Sequence, residues 1–136
     1  MADVFSKKKR SEVMSRIKGK GNRTTEMRVV ALFREYGITG WRRHLNLPGK
    51  PDFAFRREKV AIFVDGCFWH GCPRCYKAPK GNAKFWEDKI EGNRRRDRRV
   101  DRQLRQRGWS VARVWECSLR KRPDSVAGRI SRLLKR

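Results

Sequence analysis

Apolar positions follow two different periods along the chain. Between residues 24 and 36 they recur at helical spacing. Met27, Val30, Ala31 and Phe33 form one stripe, Thr24 or Thr25 can cap the helix, and Gly37 ends it. Residues 41–47 alternate instead: Trp41, Arg43, Leu45 and Leu47 against Arg42, His44 and Asn46, the pattern of a half-buried strand. After a turn at Pro48-Gly49, residues 52–56 read as a second strand. Residues 59–65 (KVAIFVD) read as a central one, apolar on both faces. A tight turn at Arg57-Glu58 would set residue 56 opposite 59 and 52 opposite 63, bringing Asp52 to Val64 and Asp65. A loop over 66–84, rich in Gly, Pro and Cys, precedes a long helix over 85–107 that Gly108 closes. Ile90, Val100 and Leu104 mark its inner face. Residues 109–116 (WSVARVWE) form a fourth strand, and Pro123 opens a last helix with Val126, Ile130, Leu133 and Leu134 inside.

Residues 1–10 read as a basic arm. Ser11 can cap a short helix to Lys18 with Met14 and Ile17 on one side, which either docks on the core or wedges between base steps. The predicted order is α, α, β, β, β, α, β, α, without internal repeats: a single α/β domain behind an arm over residues 1–22.

Charge changes the picture of partners. Lys and Arg number 37 against 14 acids, a formal net charge of +23. With 10% aromatic residues this fits a folded nucleic-acid binder better than a disordered basic tail. Eight arginines lie between Arg94 and Arg107, with few acids to balance them, so phosphate contact is expected there. No apolar run approaches the ~20 residues needed to cross a bilayer, and the first ten residues carry no signal-peptide core. The expectation is a cytoplasmic protein that does not engage membranes.

Four cysteines in such a chain are more often metal ligands or catalytic groups than disulfides. Cys67, Cys72 and Cys75 are spaced C-x4-C-x2-C, and Cys117 follows a strand that can end beside them. Four thiolates suit a closed, structural zinc site. His70 or His44 could replace one sulfur, and four buried free thiols are the bland alternative. Asp52, after a proline and beside a central strand, is the second constellation. A hard cation such as Mg²⁺ takes oxygen ligands, so one carboxylate plus the Val64 carbonyl would suffice with a DNA phosphate. His70 lies five residues beyond Asp65 and titrates near neutrality, as a general acid or base must. Glu26 borders its helix stripe, either as a helix-dipole partner or facing the hairpin end. Asp97 shares the inner face of the long helix, and needs either an arginine or a role in the site. Phe68, Trp69 and Trp86 either stack on bases or form a small satellite core over the zinc.

The strings PGKPDF, VDGCFWHGCPRC, FWEDKIEGNRRRDRR and GWSVARVWEC, with MADV and RSEVMSRIKGKGN before them, resemble the very-short-patch repair (Vsr) mismatch endonucleases, in order and over nearly the whole chain. The resemblance implies a restriction-endonuclease-like core, a mixed four-stranded sheet flanked by helices, with structural zinc and catalytic Mg²⁺. It makes residues 23–136 an endonuclease domain that nicks double-stranded DNA 5′ of the thymine in a T:G mismatch, where 5-methylcytosine has deaminated. It implies metal binding by Asp52 and catalysis by His70, with Glu26 and Asp97 in support. It puts zinc on Cys67, Cys72, Cys75 and Cys117, aromatic wedges at Phe68, Trp69 and Trp86, and a minor-groove helix carrying Met14 and Ile17. A nucleoid-associated monomer with mismatch-repair proteins as possible partners is the matching expectation.

The chain also departs from the pattern. Val64-Asp65 stands where some relatives carry Thr-His. Asp65 then either ligates metal or water, or repels Asp97 unless a proton or cation lies between them. All the zinc positions are cysteine, and the acid-x-lysine half of the wider nuclease pattern is missing. Two rival functions stand beside the nicking enzyme: a non-catalytic zinc-stabilised DNA-binding module, or the same fold cutting a different DNA substrate.

Overall fold

The computed structural model describes residues 22–77 and 80–135. The expected arm, its helix and the Met14 and Ile17 wedge therefore lie outside the described residues. Within them the order is α1 (Asn22–Glu35), β1 (Trp41–Arg42), β2 (Phe53–Phe55), β3 (Val60–Asp65), α2 (Ala83–Gln106), β4 (Ser110–Trp115), α3 (Glu116–Lys121) and α4 (Pro123–Leu134).

The four strands make one mixed sheet in the order β1-β2-β3-β4. The first three are antiparallel neighbours, and β4 joins β3 in parallel after the α2 crossover. Phe53 pairs with Ile62, Ala54 with Ala61 and Phe55 with Val60, which is the expected hairpin register. Because the side-chain period is two, this register assigns every β3 side chain to a face. Val60 and Ile62 join Phe33, Phe53, Phe55 and Ile130 in the larger core, under α1, α3 and α4. Ala61 and Phe63 face the other way, onto Leu104 of α2. A strand covered on both sides must be apolar throughout, and this one is until Asp65.

Four expectations need correction. The buried stripe of α1 is Thr25, Val29, Leu32 and Phe33. Met27 is 65% exposed, and Ala31 also faces solvent. Both stripes have helical spacing; only contact with the sheet chooses between them. The strand expected over 41–47 stops at Arg42. The backbone turns left-handed at His44 (φ 56°), so the alternation beyond it belongs to a loop. A short helix, α3, follows β4 directly, where a simple connection was expected. The long helix starts two residues early, at Ala83.

Candidate active site

The hairpin brings Asp52 to the C-terminal end of β3. The Val64 N–H donates to Asp52 Oδ2 at 2.7 Å. Burial pushes the Asp52 carboxyl up; the Val64 N–H opposes this, and the charge of Glu26 reinforces it. Glu26 and Thr25, from the first turns of α1, line a small pocket with Asp52, Val64, Gly66 and Glu116. Glu26 also forms an ion pair with Arg43. Glu116 was not anticipated as a neighbour of these acids. It opens α3, the helix the sequence pattern did not reveal.

Asp65 is buried at the end of β3 and faces α2. His70, on the following loop, places Nδ1 2.6 Å from Asp97 Oδ2. Its Nε2 lies 3.9 Å from Asp65 Oδ1, beyond hydrogen-bond distance. Burial disfavours the imidazolium, but the Asp97 hydrogen bond and the charges of Asp65 and Asp97 overcome it, and His70 titrates above its ordinary value. Asp97 moves the other way. Burial would raise it, yet the His70 hydrogen bond and the charges of His70, Arg113 and Arg96 hold it below the usual carboxylate range. Burial pushes Asp65 up, against the charges of His70 and Arg113.

Arg113 is the residue sequence reasoning missed. It pairs with Phe63 in the β3–β4 register and bridges Asp65, Asp97 and Asp101. A signal was present: along β4, Trp109, Val111 and Arg113 share one face, and a charge in that row needs partners. Asp97 thus has both candidate partners at once, an arginine and the site histidine.

Asp52, Asp65, His70, Asp97 and Arg113 line one open cleft, with Trp69, Lys89 and Arg96 among its walls. The loop carrying His70 is gripped by α2. Asn93 donates to the Trp69 carbonyl at 2.8 Å and Arg94 to the Gly71 carbonyl at 2.6 Å. Gly71 has φ +65°, and a Cβ there would collide with Arg94 Nη2 and meet Ile90 at 2.8 Å. Only glycine fits so close an approach. Arg94 thereby ties α2 to the loop through the His70 and Gly71 carbonyls.

The same loop ends in sulfur. Cys67, Cys72, Cys75 and Cys117 place their Sγ atoms within 4.8 Å of one another, and none is in a disulfide. Cys72 and Cys117 are 3.7 Å apart. Burial opposes a Cys72 thiolate, but the N–H groups of Arg74 and Cys75 bring it down to about 7. This set can hold a metal ion.

Phe68, Trp69 and Trp86 pack together, with centroids 5.0 to 6.0 Å apart. Trp86 is buried beneath the other two. Phe85 is the exposed aromatic at the start of α2. Lys89 lies over the Trp69 ring, 5.8 Å from its centroid. Among the described residues, no helix is long and apolar enough to cross a membrane.

Residues 2–77 match the family described as DNA mismatch endonuclease Vsr. The DNA mismatch endonuclease Vsr of Escherichia coli is 40% identical over 124 residues, covering 90% of this chain and 78% of that protein. The type II nicking enzyme V.XorIIP of Xanthomonas oryzae is 39% identical over 121 residues, 88% of each chain. The type II nicking enzyme V.NmeDIP of Neisseria meningitidis is 37% identical over 130 residues, 94% of this chain and 87% of its own. With a hairpin carboxylate and a histidine–carboxylate pair on one cleft, and relatives matched along nearly its whole length, the chain belongs to the Vsr family of DNA mismatch endonucleases.

Proposed function

We propose that this protein is a metal-dependent endodeoxyribonuclease that nicks double-stranded DNA 5′ of the thymine in a T:G mismatch, in very-short-patch repair of deaminated 5-methylcytosine. The observation that carries the reading is one cleft holding both a half-buried hairpin carboxylate, Asp52, and a histidine whose Nδ1 is tied to Asp97. Pure binding needs neither. The family match and the names of the relatives support it. The sheet, with its acid at the hairpin end, is read as a restriction-endonuclease-like core.

Beside Asp52, the pocket side chains of Thr25, Glu26 and Glu116 offer hard oxygen, and the Val64 carbonyl would add another. They suit Mg²⁺ rather than a soft ion. Bound there, Mg²⁺ would supply a Lewis acid for the scissile phosphate. The sulfurs suit zinc. A tetrahedron of Zn–S bonds has edges of about 3.8 Å, close to the 3.7 Å between Cys72 and Cys117. A closed four-sulfur site is structural, and it fixes the loop that presents His70.

The remaining chemistry belongs to the chain's own groups. Asp97 is ionised and can only accept, so the neutral imidazole carries its proton on Nδ1. Nε2 then holds the lone pair and takes the proton of an attacking water. Once charged, it can return a proton to the leaving oxygen. Lys89 and Arg96 meet the DNA backbone at the cleft wall. Phe68 and Trp69, backed by Trp86, wedge beside the mismatch. The enzyme acts as a monomer, in the cytoplasm at the nucleoid, where mismatch-repair proteins can meet it.

Labelled T:G and T:A duplexes with Mg²⁺ test the reading. A nick on T:G alone, lost in Asp52→Ala, is expected. Binding without any nick leaves a DNA-binding module, and equal cutting of both duplexes leaves a nuclease of other specificity.

A further inference from the structure

Arg113 uses its guanidinium in two halves. Nε and Nη2 face Asp101, at 2.9 and 2.8 Å. Nη1 faces the cleft, 3.1 Å from Asp65 Oδ1 and 3.5 Å from Asp97 Oδ1. The flat group also lies over Phe63, 4.2 Å from the ring centroid, which fixes its plane. Asp101 comes four residues after Asp97, so both point from the same face of α2. One edge of the fork is thereby anchored, and the other is delivered to the site.

That edge reaches a place with an alternative occupant. Asp65, His70 and Asp97 offer ligand atoms within 4.8 Å of one another, an arrangement able to hold a divalent ion. An ion entering there would have to displace the guanidinium or lie against its charge. Neither is favourable while Asp101 and Phe63 hold Arg113 in place.

We propose that Arg113 is a positioning residue: it stands as a fixed cation where a second divalent ion would otherwise bind among Asp65, His70 and Asp97, and it pins Asp97 against His70 Nδ1. The proposal rests on the nuclease reading for its effect on rate, but not for its effect on metal stoichiometry. It also answers the problem posed by an aspartate at position 65. Two carboxylates converge on one histidine, and the cation they need is built into β4.

The test uses the zinc-loaded full chain with Arg113→Met, Arg113→Gln and the conservative Arg113→Lys. Bound Mn²⁺ is counted by electron paramagnetic resonance, and nicking of a T:G duplex is measured at saturation. Both neutral variants are expected to bind one Mn²⁺ more than wild type. In the neutral variants kcat falls at least tenfold while KM stays within twofold, and the lysine variant keeps the wild-type ion count with partial recovery of kcat. Gln retains hydrogen bonding and much of the volume, so it decides the matter if Met does not fold. A folded neutral variant that binds no more ions than wild type, or cuts at the wild-type kcat, overturns the proposal, as does a lysine variant that binds one more. If wild type fails to nick the T:G duplex, the nuclease reading falls, while the ion count still decides the role of Arg113.

Discussion

The two ends of the cleft handle negative charge removed from water in opposite ways. At one end Asp52 accepts from the Val64 N–H, Arg43 is paired with the neighbouring Glu26, and burial pushes the Asp52 carboxyl up in spite of the Arg43 charge. At the other, Asp97 sits among His70, Arg113 and Arg96, and is held below the usual range although burial opposes this. The end whose arginine is taken up by a second carboxylate gains most from a metal ion. The other end carries its own cation, Arg113, among Asp65, Asp97 and Asp101, and on the proposed reading its histidine moves a proton. The shifts also give opposite pH signs. In ion-free protein, Asp52 costs stability as pH rises through its ordinary value toward the raised one. Asp97 contributes stability above its ordinary value, lost as pH falls through the depressed one. The His70 contribution is complete below its ordinary value and is lost as pH rises through the raised one.

The largest effect should come from the sulfur cluster that holds one end in place. Metal release from a closed zinc site removes the free energy that orders the loop around it. Cys72→Ala should therefore lose zinc and open residues 66–77 to hydrogen exchange, while β2 and β3 stay protected. Equal loss of protection in β3 would show that the two ends cannot be uncoupled.

Asp52→Ala should follow. Nicking should fall by about 10³-fold, roughly 4 kcal/mol of barrier, with loss of Mn²⁺ binding. Because it removes a carboxylate that burial disfavours, the ion-free variant should melt no lower than wild type at neutral pH. A clearly lower melting temperature would mean that Asp52 is structural and the contrast misplaced.

Asp97→Asn comes third, with nicking down by about 10²-fold, as for a weakened general base. His70, followed by NMR, should titrate lower than in wild type, since the charge that holds it up is gone. An unmoved His70 titration would show that Asp97 does not set its protonation.

The smallest effect is expected at the cleft wall. Lys89→Ala or Arg96→Ala should each flatten the salt dependence of DNA binding by about one unit of slope, leaving saturated nicking nearly unchanged. An unaltered slope would remove that side chain from the phosphate contacts.

Much of this site was legible in the chain. The turn at Arg57-Glu58 and a strand apolar on both faces set the hairpin register, and with it the approach of Asp52 to Val64. Cysteine spacing brought four sulfurs to one loop and one strand end. Met27 shows the opposite limit. Its helical spacing matches that of Val29 as a core candidate, yet it ended outside because the sheet lies on the Val29 side. His44 shows another: alternation continues past Arg42, but a left-handed backbone ends the ladder.

The sequence by itself determined what depends on neighbours along the chain: the hairpin, the ligand-rich loop, the basic helix and the types of donor they carry. Only the tertiary structure decided what depends on which strand lies beside which. Arg113 reaches Asp65 because β4 runs parallel to β3 in one register, and it reaches Asp97 and Asp101 because α2 crosses that face. Periodicity can say that a charged side chain points inward. Its partners come from elements distant in sequence, and packing alone selects them.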